Sequence, residues 1–422
     1  MHTGLTPSEE FVARLCEQAF LKLWTHPNPL GKKGKELCDC LVVCGSHVVI
    51  ISVKEIEYAN TCNQVGWRRW HKAAVDKSAQ QIWGAERWLQ EATVVLRKDG
   101  REISLPPAET RNYHRISVSL GARGEVPTKW GELGNGFVHL FDEYSLVEAF
   151  CELDTITDFV EYLTAVESLI SQGVRPVFVG GGTEDLLALY VRNGEDFGIL
   201  GREGGTPDTV IITEGISSDL VQSSEYAARN QDLSSSYAWD RLIDHFAEDL
   251  LTNGMFDMHS KEVTKDELAL VAMALQPRSH RANLADAFME FLGEKGSSIT
   301  SRVVVVGNKT AFVFLGGDSS DREYRSRELA LRCLVVRGRS PNVDTIVGIA
   351  TDKPKPGKSG HSSDILYKHL PIWTEADAEN VDCIQRELGY FKNTMWSSAM
   401  APNPSIERTC HSRPDQNSHV KR

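Results

Sequence analysis

The chain has 422 residues, a mass of 47.0 kDa, 41% hydrophobic and 25% charged residues. This composition excludes a chain that is disordered, collagen-like or coiled coil throughout, and the lack of any run of about 18 apolar residues excludes a helical membrane protein. Forty-six Lys+Arg against 58 Asp+Glu give a net charge of −12, which argues against a wholly basic nucleic-acid coat. Residues 1–105 nevertheless hold 14 Lys+Arg against 12 Asp+Glu, so a polyanionic partner is expected at the N-terminal end. The N-terminus, MHTGLTPSEE, shows no apolar signal-peptide core. The nine scattered cysteines read as reduced thiols of a cytoplasmic protein rather than as a disulfide framework. Zinc at Cys38, Cys40 and Cys44 is disfavoured because no histidine pair follows at ligand spacing.

In chain order, an apolar stripe of Phe11, Val12, Leu15, Cys16, Ala19, Phe20, Leu23 and Trp24 predicts a helix over 8–24, with Ser8 as N-cap. GKKGK (31–35) is a basic loop. Strands are predicted over 36–44 and 47–57, paired as a hairpin through Gly45-Ser46. A long helix follows over 64–92, then short strands near 93–97 and 114–120. A Gly-rich stretch over 121–136 marks a boundary. Beyond it come a strand at 137–142, a helical region at 145–171, and a strand turning into a helix at 177–185. That Gly180-Gly181-Gly182 turn lacks the Lys-Ser/Thr and the glycine spacing of a phosphate loop. Polar helices are predicted over 214–260, helices over 262–275 and 281–294, a hairpin over 302–316, a helix over 321–338 and a strand over 344–350. A Pro/Gly/Lys loop (353–361) and a helix at 374–391 complete the order. Helix, hairpin, helix, strand occurs twice, near 8–97 and near 281–350. Arg278, His280 and Arg281 read as a solvated helix start. The tail, 400–422, has no apolar periodicity and reads as disordered.

One polar pair interrupts the first hairpin. Asp39 lies on its first strand and Lys54 on its second, with Ser52 on the Lys54 face by strand alternation. A charge in an apolar strand is costly unless paired or metal-bound. Taken alone, the pair reads equally as a buried ion pair, as strand-end residues in solvent, or as a site.

Helix–strand–strand–helix with an aspartate, then a polar-x-Lys about 15 residues later, resembles the PD-(D/E)xK nuclease superfamily. The likeness is to its restriction endonuclease-like and nuclease-related (NERD-like) branches and covers about residues 8–97. Residues 34–57 and 137–163 also resemble stretches of a group of uncharacterised bacterial proteins. The PNPSIERT…SHVKR tail resembles the read-through end of an integron gene cassette, which implies a mobile bacterial gene.

The resemblance implies an α/β fold with a restriction endonuclease-like αβββαβ core around a Mg²⁺ (or Mn²⁺) site. It further implies Asp39 and Glu9 as metal ligands, Lys54 as the catalytic lysine, and Ser52 and Gln81 beside it. Phosphodiester hydrolysis suits these residue types, because carboxylates hold a hard cation and a lysine balances developing charge. Ser52 stands where the family has an acid. Glu86 of the following helix is a possible replacement, at about 80° from its apolar stripe. Asp76 faces away, and Glu36 and Glu55 have the wrong strand parity unless a bulge intervenes. Phosphate contacts are expected from Lys32, Lys33, Lys35, Arg68, Arg69 and Lys72. Trp67 and Trp70 read as core.

The expected organisation is a nuclease-like domain (1–120), a mixed α/β middle region (137–260), a C-terminal α/β domain (261–398) and a tail (399–422). The leading function is metal-dependent cleavage of DNA, favoured over RNA, in defence against foreign nucleic acid. A partner protein or a second copy would engage the C-terminal region. The rival reading is a degenerate nuclease fold that only binds, and Ser52 is its support. A third reading, chemistry in the acidic C-terminal half, has no recognisable triad behind it.

Overall fold

The computed structural model describes residues 5–58, 64–121, 131–198, 208–252, 263–293, 299–307, 309–317, 321–352 and 362–391. Most of the Gly-rich boundary, the loop 353–361, the turn residue Asn308 and the tail 400–422 lie outside the described residues.

Helix α1 (Pro7–Phe20) begins behind Thr6, not Ser8. The Thr6 hydroxyl accepts from the Glu9 N–H, and the Glu9 carboxylate accepts from the Thr6 N–H at 2.9 Å, closing a capping box. The helix stops at Phe20 because Leu21 takes φ 67°. Leu23 and Trp24 stay buried all the same, leading into strand β1 (Thr25–Pro27).

Strands β2 (Cys40–Cys44) and β3 (His47–Glu55) form the expected hairpin about Gly45, whose φ of 58° suits glycine. Residues 36–39 are not regular strand, so β2 is shorter than its apolar run. The long helix is present as α2 (Gln64–His71) and α3 (Lys77–Glu91), joined by a π turn at Lys72–Asp76 that sequence periodicity does not disclose. A small hairpin, β4 (Val94–Leu96) and β5 (Glu102–Ser104), precedes β6 (Asn112–Leu120). Then come β7 (Gly131–Glu132) and β8 (Phe137–Phe141).

The resulting sheet has the order β1-β2-β3-β6-β8-β7. β1, β2 and β3 are antiparallel neighbours, whereas β3, β6 and β8 run parallel. The parallel step from β3 to β6 needs a crossover, which α2 and α3 supply. From α1 to β6 the succession, with α2–α3 counted as one helix and the β4–β5 hairpin as an insertion, is α, β, β, β, α, β. Gly121, at φ 91°, lies so close to Ile56 that a Cβ would meet the Ile56 carbonyl oxygen at 2.9 Å. That approach lets 56–58 continue beside 120–121 through the Ile56 N–H to Leu120 and Tyr58 N–H to Gly121 bonds.

The chain continues through α4 (Glu143–Glu152), α5 (Ile156–Ser171), β9 (Arg175–Val179), α6 (Thr183–Arg192) and β10 (Thr209–Thr213). β9 and β10 make a two-stranded parallel sheet. Helices α7 (Ile216–Val221), α8 (Ser224–Leu233), α9 (Ser236–Thr252), α10 (Lys265–Ala274) and α11 (Arg278–Gly293) follow. The last part comprises β11 (Thr300–Val306), β12 (Thr310–Gly317), α12 (Arg322–Arg339), β13 (Thr345–Asp352), β14 (Ser363–His369) and α13 (Glu375–Leu388).

The two helix–hairpin–helix–strand stretches share one topology. β11 is antiparallel to β12 and β12 parallel to β13, as β2 is to β3 and β3 to β6. Counted from the two turns, Ser301, Leu315 and Gly317 stand where Asp39, Ser52 and Lys54 stand.

Val12, Cys16, Phe20, Val42, Ile51, Ile116 and Phe159 pack on one face of the large sheet, and their cluster runs on to Trp239, Phe312 and Phe314. The other face packs Leu41, Val43 and Ile50 under Ile82, Ala85 and Leu89 of α3. Arg278 and Arg281 are not a solvated turn. They are buried, Arg278 bonding Asp154 (2.7 Å) and Asp240 (2.5 Å) and Arg281 bonding Asp240 (2.6 Å). The α4–α5 connection, α9 and α11 meet there, so the carboxylates that neutralise the arginines come from far along the chain. No helix among the described residues is long and apolar enough to cross a membrane.

Candidate active site at the end of the first hairpin

Asp39 immediately precedes β2, and its N–H still pairs with the Ile51 carbonyl at 3.1 Å. The carboxylate is buried, and its Oδ2 accepts from the Val53 N–H at 2.6 Å. Strand alternation turns Ser52 and Lys54 to the α3 side of β3. Lys54 Nζ lies 3.7 Å from Asp39 Oδ2 and donates to Gln81 Oε1 at 2.8 Å. The Ser52 hydroxyl donates to the same Gln81 oxygen at 3.0 Å. Ser78, one turn earlier on α3, donates to the Ser52 carbonyl at 3.4 Å. Asp39, Ser52, Lys54 and Gln81 therefore converge, with Lys54 28% exposed at the mouth and Asp39 4% exposed beneath it.

The parallel partner strand widens this polar floor. Ser117 and Ser119 of β6 stand in register with Ser52 and Lys54. Both are buried, and their hydroxyls make no hydrogen bond among the described residues.

The acids sort differently from their sequence expectations. Glu86 is taken up by Arg115 in a two-point ion pair at 2.5 and 2.6 Å. Asp76 lies 3.2 Å from His71, on the exposed side of the helix. Glu55 accepts from the Ser8 hydroxyl. Glu36, set aside on parity, is the acid that lies within electrostatic reach of Asp39. Parity does not apply to it, because 36–39 are irregular and Leu37 bonds back to the Pro29 carbonyl. Burial raises the Glu36 pKa, and the charges of Asp39 and Glu9 raise it further, against the opposing pull of Lys98. The glycines of GKKGK, which break the strand before Glu36, are the sequence signal for this.

Glu9 serves the capping box of α1, yet its charge also reaches Glu36. Lys32, Lys33 and Lys35 are exposed on the loop that precedes Glu36, and Arg68, Arg69 and Lys72 on the first turns of the long helix. Trp70 is buried, its indole N–H donating to the Ile56 carbonyl at 2.9 Å, and Trp67 packs beside it.

The donor set suits a hard cation. Asp39 and Glu36 are carboxylates whose crowding a divalent ion would relieve, and Mg²⁺ commonly takes only one or two protein carboxylates, filling its other positions with water and phosphate. Among the described residues, no three His, Cys, Asp or Glu side chains stand together as a complete ligand group. Burial raises the thiol of Cys38 well above its usual range and that of Cys44 to about 12.

Comparison with family models, with curated proteins and with solved structures finds no match to this chain.

Proposed function

We propose that this chain hydrolyses phosphodiester bonds of DNA at the Asp39–Lys54 site with Mg²⁺ or Mn²⁺, in the manner of the PD-(D/E)xK nucleases it resembles. The observation that carries the reading is the convergence of Lys54, Asp39, Gln81 and Ser52 at one end of an antiparallel hairpin. The α, β, β, β, α, β succession through β6 supports it, as does the weakly exposed lysine over a buried carboxylate.

Asp39 and Glu36 would hold the cation, with Glu9 adding negative charge behind them. A bound divalent ion supplies a polarised phosphate and a water of lowered pKa. Lys54, fixed by Gln81, places its ammonium where negative charge develops on the phosphate and where the attacking water sits. Gln81 accepts from both Lys54 and Ser52, so its Nε2 is left to orient water or substrate. Ser52 positions Gln81 rather than replacing the missing acid. Cytoplasmic defence against foreign DNA is the setting that the mobile-cassette resemblance of the tail favours.

The test is cleavage of plasmid DNA by purified full-length chain with Mg²⁺ or Mn²⁺. Activity lost in Lys54→Ala with the fold and metal binding retained is the expected result. A wild-type chain that binds DNA but neither binds nor uses either metal would overturn hydrolysis. It would favour the binding-module reading, which the contacts of Asp39 Oδ2 with the Val53 N–H and Lys54 also suit.

A further inference from the structure

The basic loop and the small β4–β5 hairpin come from separate stretches of chain and are fastened together. The Leu30 N–H donates to the Leu96 carbonyl at 2.7 Å, and the Leu96 N–H returns to Leu30 at 3.4 Å. The loop is closed on itself by Gly31 N–H to Lys35 (2.7 Å) and Gly34 N–H to Gly31 (3.1 Å). Within it Lys33 takes φ 59°, ψ 30°, a left-handed conformation that is unfavourable for a non-glycine residue and persists only where the surroundings impose it.

Both pieces point cations outward. Lys32, Lys33 and Lys35 are exposed on the loop, and Lys98 and Arg101 on the hairpin turn, with Arg97 half-buried behind. Asp99 holds the turn in shape, lying 3.5 Å from Arg97 and 3.6 Å from Arg101 and accepting from the Arg101 N–H at 3.1 Å. Lys98 Nζ is 3.9 Å from Glu36 Oε2, which joins this ridge to the acid beside Asp39. A chain of net charge −12 thus gathers six cations on two fastened loops at the rim of its site.

We propose that the loop 31–35 and the β4–β5 turn form one phosphate-binding ridge that seats a duplex DNA backbone across the mouth of the Asp39–Lys54 site. The proposal rests on the nuclease reading for its choice of nucleic acid, but binding is separable from hydrolysis. Duplex is favoured over single strand because neither 28–36 nor 97–102 contains an aromatic residue, and single-strand grooves rely on stacking. Lysines acting as point charges on phosphates fix orientation without reading bases, so binding is sequence-independent.

The experiment measures anisotropy of labelled duplex and single-stranded DNA against the Asp39→Ala chain across a salt series. Wild type in EDTA provides the same readout should that variant fold poorly. Lys98→Gln/Arg101→Gln and, separately, Lys32→Gln/Lys33→Gln/Lys35→Gln are compared with Arg327→Gln, a distant exposed control on α12. Each ridge variant is expected to lose about tenfold or more in affinity at moderate salt, and to flatten the salt dependence by roughly one unit of slope for each phosphate contact removed. Parent-like binding by the Lys98/Arg101 variant overturns the ridge. Tighter binding of single strands, or of duplex RNA, than of duplex DNA overturns the partner. Ridge-dependent duplex binding by a wild type that cleaves nothing supports the ridge while sinking the hydrolysis reading, so the two failures are distinguishable.

Discussion

Lys54 Nζ stands 3.7 Å from Asp39 Oδ2 and 2.8 Å from Gln81 Oε1, so one ammonium links two strands and the helix lying across them. The two charges differ in their structural duty. Asp39 satisfies a buried backbone N–H, that of Val53, whereas Lys54 is partly exposed and meets Asp39 and Gln81 through its ammonium.

Asp39→Ala and Lys54→Ala should therefore separate in stability while agreeing in activity. Removing Asp39 leaves the Val53 N–H without its acceptor, at a cost of about 1–3 kcal/mol. Removing Lys54 should cost less, about 1 kcal/mol or below, because Lys54 is partly exposed and Asp39 keeps the Val53 N–H. Denaturant unfolding measures both. Cleavage assays should show each variant reduced by roughly 10²-fold or more. An equal loss of stability in the two would show that Lys54 is a structural counter-ion.

Glu36→Gln should weaken Mn²⁺ binding by about tenfold, because it removes one of two carboxylates available to a hard cation. Glu86→Gln should leave metal affinity alone, since Glu86 is committed to Arg115. Titration calorimetry or the Mn²⁺ electron paramagnetic resonance signal reports this directly. The reverse ranking would return the missing acid to the long helix.

Arg278→Leu should destabilise the chain by about 3–5 kcal/mol, because it leaves the largely buried Asp154 without its cation and Asp240 with Arg281 alone. The double change Arg278→Leu/Asp154→Leu should recover part of that loss. Thermal unfolding checks both, and a cost below about 1 kcal/mol would mean that water reaches these carboxylates.

Asp158 makes stability depend on pH. Burial raises its pKa to about 6, although the Thr155 hydroxyl and the Arg278 N–H both donate to it. The folded state thus binds the proton more tightly than the unfolded chain. Ionised Asp158 is destabilising above about pH 6, and that penalty disappears as the pH falls below the unfolded carboxylate value. Asp158→Asn should raise the melting temperature at pH 8 and lose that advantage by pH 4, with a difference of order 1–3 kcal/mol. His114, pushed down to about 4 chiefly by burial, acts with the opposite sign. It stays neutral in the fold, so its contribution is lost as the pH falls from about 6.5 toward 4. An advantage of Asp158→Asn that grows on acidification would contradict the first assignment.

Much of the architecture was legible from local rules. Apolar periodicity placed α1, the β2–β3 hairpin, the long helix, β8, and the later hairpin with its helix and strand, because periods of 2 and 3.6 follow from which face each element buries. Strand alternation alone put Ser52 with Lys54, and the hairpin brought Asp39 to them. The π turn at Lys72–Asp76 and the short β5 left no periodic trace, since each is too brief to repeat a pattern.

What tertiary structure alone decided is where irregular backbone and long side chains go. The charge of Asp39 acts on Glu36 because the chain between Pro29 and Asp39 folds back on itself, which parity counting cannot follow. Glu86 leaves the site because Arg115, from β6, takes it. Arg278 and Arg281 are buried because Asp154 arrives from the α4–α5 connection and Asp240 from α9. The basic loop gains a second half because the backbone bonds of Leu30 and Leu96 bring Lys98 and Arg101 beside it. Patterns of burial are written locally, one face at a time. The partner of a charge is chosen by whichever distant segment the core packs beside it, and only the folded chain specifies that.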